Sequence, residues 1–280
     1  MVNNIKTIEN LISAAFDLKN SGHEQQAIDL LNDVITIDPN YSYAYFFQGM
    51  FYHDIGDLER AEESYKKAQK LNPKNILINK IFGAFLLSQE RLDEGVYYLK
   101  IAFYEDPTDV EVAKWIRLFS RIIPDKETEE ILELAWEKTK DYQIGIYLGN
   151  SYQHHDEYQK SINIFSEVLE MDRTSEVLIA LSEVYFDANE FDKSFEMVDE
   201  ALKINPNDSD AWRHKATLFF VKNPELALKA AEKAYSIDPG DIFNAYSHGI
   251  ILFLLGKYEE FLVFSEKALD VLNIDDNSDE

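Results

Sequence analysis

The densest group of chemically competent side chains in this 280-residue sequence is His154-His155-Asp156-Glu157. Imidazoles and carboxylates bind metal, or move protons, when three or four of them converge on one point. Side chains adjacent in sequence do not easily converge on one ion, and no third ligand stands at zinc-site spacing, so the run is read as a solvated turn. The carboxylate pairs Glu62-Glu63, Glu129-Glu130 and Glu259-Glu260 fall within helical patterns and read as solvated faces. No nucleophile elbow, glycine-rich phosphate loop or HExxH motif is present. With zero Cys, disulfides, thiolate metal sites and thiol nucleophiles are excluded together. The residues therefore predict no enzyme, no cofactor and no metal.

Two charge features remain. Lys114, Arg117 and Arg121 are spaced i, i+3, i+7 and share one helix face, with Lys80 one period away. Such a stripe could receive a carboxylate or an acidic segment, or be neutralised by local acids such as Glu111. It sits in a chain with 27 Lys and Arg against 52 Asp and Glu, net −25. A nucleic-acid binder needs a basic surface to displace counterions from phosphate, so that class is set aside. Residues 1–140 carry 16 basic and 24 acidic side chains, net −8, and residues 141–280 carry 11 and 28, net −17. The C-terminal half is where a basic partner would be drawn; the same charge also serves solubility alone.

The longest aliphatic and aromatic run, Ile250 to Leu255, is far short of the ~20 residues that cross a bilayer. The opening stretch MVNNIKTIENLISAAFDLKN lacks a basic head and an uninterrupted apolar core, so no signal peptide is read. A cytoplasmic protein without membrane insertion is the expectation, and the absence of Cys fits it.

The elements follow from residues 42–75. One helical pattern runs from Ser42 to about Asp54, with Tyr45, Gly49 and Tyr52 on a stripe. Gly56 and Asp57 break it and cap the next. The second runs from Leu58 to Leu71, with Ala61, Tyr65 and Ala68 inward, and Asn72-Pro73 stops it. Helix-stopping prolines recur at Pro39, Pro73, Pro107, Pro206 and Pro239, with gaps of 34, 34, 99 and 33. The long gap is three times 33, so stops without proline are expected near 140 and 173. Eight units result: 8–41, 42–75, 76–109, 110–141, 142–174, 175–208, 209–241 and 242–273. The fourth is irregular, with Arg117 where Gly or Ala is expected and Pro124 ending its first helix. The acidic residues 274–280 read as a disordered tail.

This order of an aromatic, Gly, Tyr, two alanines and a closing Pro resembles the tetratricopeptide repeat. The resemblance implies an all-α chain, a right-handed α-solenoid of about eight stacked helix-turn-helix units forming a single domain over residues 1–273. It also implies that the first helix of each unit lines a concave groove that receives another protein or peptide. Carried over position by position, the groove residues are Tyr43, Phe46 and Met50; Lys80; Lys114, Arg117 and Arg121; Ile146 and Asn150; Arg213 and Phe220; Tyr246 and Ile250. Glu183, Phe186, Thr217 and Phe243 fall at equivalent positions, and any single aromatic among all of these fits intramolecular core as well as it fits the groove. Some members clamp the terminal carboxylate of heat-shock chaperones. Of that clamp only Asn150 matches, while Ile146, Ala180, Asp210 and His214 depart from it, so a co-chaperone of that type is not expected. Helical repeats that bind RNA use 35-residue units and basic grooves, which neither spacing nor charge fits here. The function expected is a non-enzymatic protein–protein interaction scaffold, an adaptor or dedicated chaperone. The alternative is a structural protein forming homo-oligomers through its apolar C-terminal unit.

Overall fold

The computed structural model describes residues 2–120 and 125–272. Among them the regular structure is helical throughout, sixteen helices in eight successive pairs. The first four pairs are α1 (Val2–Asn20) and α2 (Glu24–Ile37), α3 (Ser42–Asp54) and α4 (Leu58–Leu71), α5 (Ile76–Ser88) and α6 (Leu92–Glu105), and α7 (Val110–Phe119) and α8 (Lys126–Thr139). The next two are α9 (Tyr142–His154) and α10 (Tyr158–Met171), and α11 (Ser175–Asp187) and α12 (Phe191–Ile204). The last two are α13 (Ser209–Lys222) and α14 (Pro224–Ile237), and α15 (Ile242–Leu254) and α16 (Tyr258–Leu272). Contacts gather the chain into two compact units, Met1–Asp141 and Tyr142–Glu280. None of the helices is long and apolar enough to cross a membrane among the described residues.

Turn chemistry sets the helix ends. Between α3 and α4, Gly56 takes φ +79°, a left-handed conformation that glycine adopts without a Cβ penalty. The Asp57 carboxylate then accepts a hydrogen bond from the Arg60 backbone N–H at 3.1 Å and caps α4. The two stops expected without proline are present. Lys140 closes α8 in the left-handed region at φ +49°, and extended Asp172 closes α10. Asn223 ends α13 and also caps α14, its side-chain oxygen accepting from the Leu226 N–H at 3.2 Å, with Pro224 at the first helical position. In the fourth pair α7 is only 10 residues long and Ser120 is extended, so that helix ends five residues before Pro124. Pro124 itself, Arg121 and the acidic residues 274–280 lie outside the described residues.

In the first unit Phe46, Tyr65, Phe82 and Phe85 form a buried aromatic cluster with Ala61 and Ala68. Gly49 is required there, because a Cβ would stand 2.6 Å from Tyr65 Cδ1. In the second unit Gly149 has the same relation to Phe165, 2.7 Å from a built Cβ. The equivalent contact between α11 and α12 is made by Ser182 and Ser194, whose hydroxyls each donate to the other's carbonyl at 2.7 Å. These hydroxyls are fully buried, and the exchange satisfies them. Within each compact unit successive pairs stack, the second helix of one against the first of the next, and in the second unit α9, α11, α13 and α15 also touch in turn.

Candidate functional site

In the second unit, first helices in contact form a face with two adjoining pockets that share Arg213. One, about 400 Å³, is lined by Phe186 of α11, Arg213, Thr217 and Phe220 of α13, and Phe243, Tyr246, Ile250 and Leu254 of α15. Phe243 is 64% exposed and Tyr246 67%. Aromatic side chains are large enough that leaving two so open in one pocket forgoes several kcal/mol of burial, on the order of 2 kcal/mol each. The Arg213 guanidinium lies 5.9 Å from the centre of the Phe243 ring and pairs with Asp210 one turn back. Its Nε is buried without a hydrogen-bond partner.

The second pocket, about 320 Å³, opens on the other side of Arg213. Ile146 and Asn150 of α9 and Val177, Ile179 and Ala180 of α11 form its apolar and amide walls, and Glu176, Glu183, Asp208 and Asp210 supply four carboxylates. Asp208 is occupied, accepting from the Ala211 N–H at 3.1 Å and from Ser175 Oγ at 2.5 Å. Asp210 holds Arg213. Burial pushes the Glu183 carboxyl above the usual carboxylate range. Arg213 opposes that rise, while Asp187 and Asp210 add to it. The result is an under-compensated negative site beside an apolar one.

Ten residues expected from sequence thus fall in these two pockets: Ile146, Asn150, Glu183, Phe186, Arg213, Thr217, Phe220, Phe243, Tyr246 and Ile250. What the sequence reading missed is that the middle of the face is acidic. Asp208 stands just before α13, off the positions that the repeat pattern assigns to a groove, whereas Asp210 stands at the second position of its unit, which is one of them. Their i, i+2 spacing just before Arg213 was the available signal.

The expected residues of the first unit have other surroundings. Phe46 is 1% exposed and sits inside the aromatic cluster with Tyr65 and Phe82, so it is core and cannot touch a partner. Tyr43 and Met50 are half-buried against the same cluster, and the Tyr43 hydroxyl accepts from Asn75 Nδ2 at 2.9 Å. The Lys80 ammonium meets Asp109 at 2.6 Å. Lys114 lies 3.4 Å from Glu111 and 3.5 Å from Asp141. Arg117 is half-buried on α7. The basic stripe is therefore engaged by its own neighbours at Lys80 and Lys114. A cavity of about 600 Å³ in this unit is lined by Tyr97, Lys100 and Tyr104 of α6 with Phe119 and Glu127, none of them groove positions.

The His154–Glu157 run is a turn. Asp156 takes φ +59° and accepts from the Tyr158 hydroxyl at 2.6 Å, and Glu157 pairs with Lys160. Among the described residues no three His, Asp or Glu side chains gather as metal ligands would. A separate buried group joins α11, α12 and α13. His214 Nε2 lies 2.9 Å from Ser182 Oγ and 3.5 Å from Ser194 Oγ, under the edge of Phe186.

The model of the tetratricopeptide repeat matches residues 42–75 and 175–208. A TPR repeat-containing protein of Methanocaldococcus jannaschii is 21% identical over 269 residues, 87% of this chain and 47% of that protein. The C-terminal part of a TPR repeat-containing protein from Cytophaga hutchinsonii has a solved structure that superposes with a TM-score of 0.60 at 15% identity, covering 84% of this chain and 98% of that one. The structure of Naa15/Naa10 bound to HypK-THB superposes with a TM-score of 0.64 at 12% identity, over 88% of this chain and 39% of that one. The chain spans about half the length, or less, of the curated relatives it matches.

Proposed function

The chain is a tetratricopeptide repeat protein, and from that premise we propose that it is a non-enzymatic scaffold, an adaptor or dedicated chaperone. It holds an extended or helical segment of a partner protein against the first-helix face of its second unit. Repeat proteins of this kind work in general through protein–protein contacts made by surfaces that their stacked helices keep rigid. The observation that carries the reading is the pair Phe243 and Tyr246, exposed aromatics converging with Phe220 and Ile250 on one pocket. Aromatic anchors in a concave apolar site are the groups that dominate protein-binding energy. The reducing cytoplasm suits a chain whose folding involves no Cys.

Tyr246→Glu tests this, since so exposed a residue can change without unfolding the helices. Proteins retained from extract by the wild-type chain and lost by the variant, at equal circular dichroism, are the expected result. Identical retention by both chains would remove the face from consideration.

A second reading has its own observation. At the last pair Phe253, Leu254, Tyr258, Leu262 and Val263 are all exposed, and Phe261, Phe264 and Ala268 line an almost wholly apolar groove of about 380 Å³ with Ile242 and Gly249. Self-association through this end would cover it. Light scattering decides between the two, because a monomer at high concentration is incompatible with the second.

A further inference from the structure

Resting on the partner-binding reading above, we infer the partner's chemistry: a polypeptide segment in which a lysine or arginine stands next to bulky apolar side chains. The apolar residues occupy the pocket of Phe186, Phe220, Phe243 and Tyr246, and the cation enters the neighbouring pocket at Glu176 and Glu183.

The two pockets share a wall, Arg213, so one continuous ligand passes from one to the other. Their linings differ in kind. The first presents aromatic and aliphatic side chains with one cation at its edge. The second sets four carboxylates against that same cation, leaving it strongly negative. Two of the four are spoken for, Asp208 by a helix cap and Ser175, Asp210 by Arg213. Among the described residues neither Glu176 nor Glu183 makes a hydrogen bond or an ion pair. For Glu183 the position is unfavourable, since it is half-buried with Asp187 and Asp210 nearby and Arg213 offsetting them only in part. A buried-side carboxylate of this kind is relieved by a cation that brings its own hydrogen-bond donors. An acidic or neutral segment would leave it uncompensated, or worsen the repulsion. Charge complementarity therefore selects among the apolar segments that fit the first pocket. The surplus of negative charge over residues 141–280 adds a long-range attraction of the same sign.

The test uses the full chain and three fluorescein-labelled synthetic peptides. The first mixes Leu and Phe with Lys, the second replaces each Lys by Glu, and the third keeps Lys but replaces Leu and Phe by Ser. Anisotropy should rank the first tightest, with the other two weaker by about tenfold or more. The double variant Glu176→Gln, Glu183→Gln should weaken the first peptide by about tenfold and flatten its salt dependence. Glu259→Gln with Glu266→Gln, an equal charge removed from exposed positions on α16, should leave it within about twofold. Both changes preserve side-chain size, and circular dichroism verifies the fold. Equal binding of the Lys and Glu peptides, both weakened by Tyr246→Ser, overturns the cation while the face stands. Binding indifferent to Tyr246→Ser overturns the face itself. Equal losses from the two double variants, or equal binding of the Ser-substituted peptide, mean diffuse attraction and overturn the site. Loss of anisotropy change through self-association of the chain, seen by light scattering, overturns it in favour of a second copy as occupant.

Discussion

His214 is 6% exposed, and burial pushes its imidazole down to about 4 from an ordinary 6.5, with Arg213 adding to the fall and the Ser182 hydrogen bond opposing it. Unfolding returns the ring to water and to its ordinary value. Between the two values the unfolded chain binds more protons than the folded one, so stability present above pH 6.5 is lost as pH falls toward 4. A depression of this size corresponds to on the order of 3 kcal/mol. His214→Gln keeps an amide within reach of Ser182 but does not titrate. Urea midpoints followed downward from neutral pH should therefore fall more steeply for the wild type than for the variant. Parallel curves would mean that the imidazole stays charged when folded, and that the Ser182–Ser194–His214 group is wrongly understood. Glu183 has the opposite sign. Its carboxyl is raised by burial, so deprotonation weakens the fold and any stabilisation is present only at low pH. That is why Glu183→Gln should not unfold the chain at neutral pH, and why it is a clean probe of ligand charge.

The helices are individually ordinary and depend on small residues where they cross. Gly149 lies against Phe165 so closely that Gly149→Val must displace an aromatic ring from a packed core, an overpacking change that costs about 1–3 kcal/mol. Asp57→Ala removes the cap of α4 and should cost less than Gly149→Val. Chemical denaturation of both variants checks the order, and an Asp57→Ala loss larger than that of Gly149→Val would contradict it. These positions were legible in the sequence, since Gly and Asp punctuate a repeat and the period locates even the stops at Lys140 and Asp172 that carry no proline. The sequence left Phe46 open between core and groove. Its position in the repeat places it on the first-helix face, but whether a neighbour closes over that face depends on Tyr43, Tyr65, Phe82 and Phe85, which arrive from three helices. The acidic pocket was hidden for a related reason. Its walls come from α9, α11 and α13, and no window of one helix contains Asn150, Glu183 and Asp210 together. Nor does sequence distinguish cations that wait for a ligand from cations already paired, as Lys80 and Lys114 are.

Each compact unit of the molecule contains four helix pairs, above the roughly three repeats that such stacks need for independent stability. Residues 142–272 alone should therefore melt cooperatively with their helical content intact, and a chain that is unfolded in isolation would show that the two units share one stability. Charge acts at the same scale. A formal −25 repels itself most strongly in the compact state, and added salt screens that repulsion over a Debye length of about 10 Å at 0.1 M. Raising salt should lift the melting temperature of the free protein. The same salt should weaken a Lys-bearing apolar peptide at Glu176 and Glu183, because there the charges attract. Opposite signs of the two responses, measured by thermal melts and anisotropy in the same buffers, separate the general acidity of the chain from a specific use of it. Peptide affinity that rises with salt would assign the whole interaction to the apolar pocket of Phe220, Phe243 and Tyr246, and would leave the acidity of residues 141–280 a matter of solubility alone.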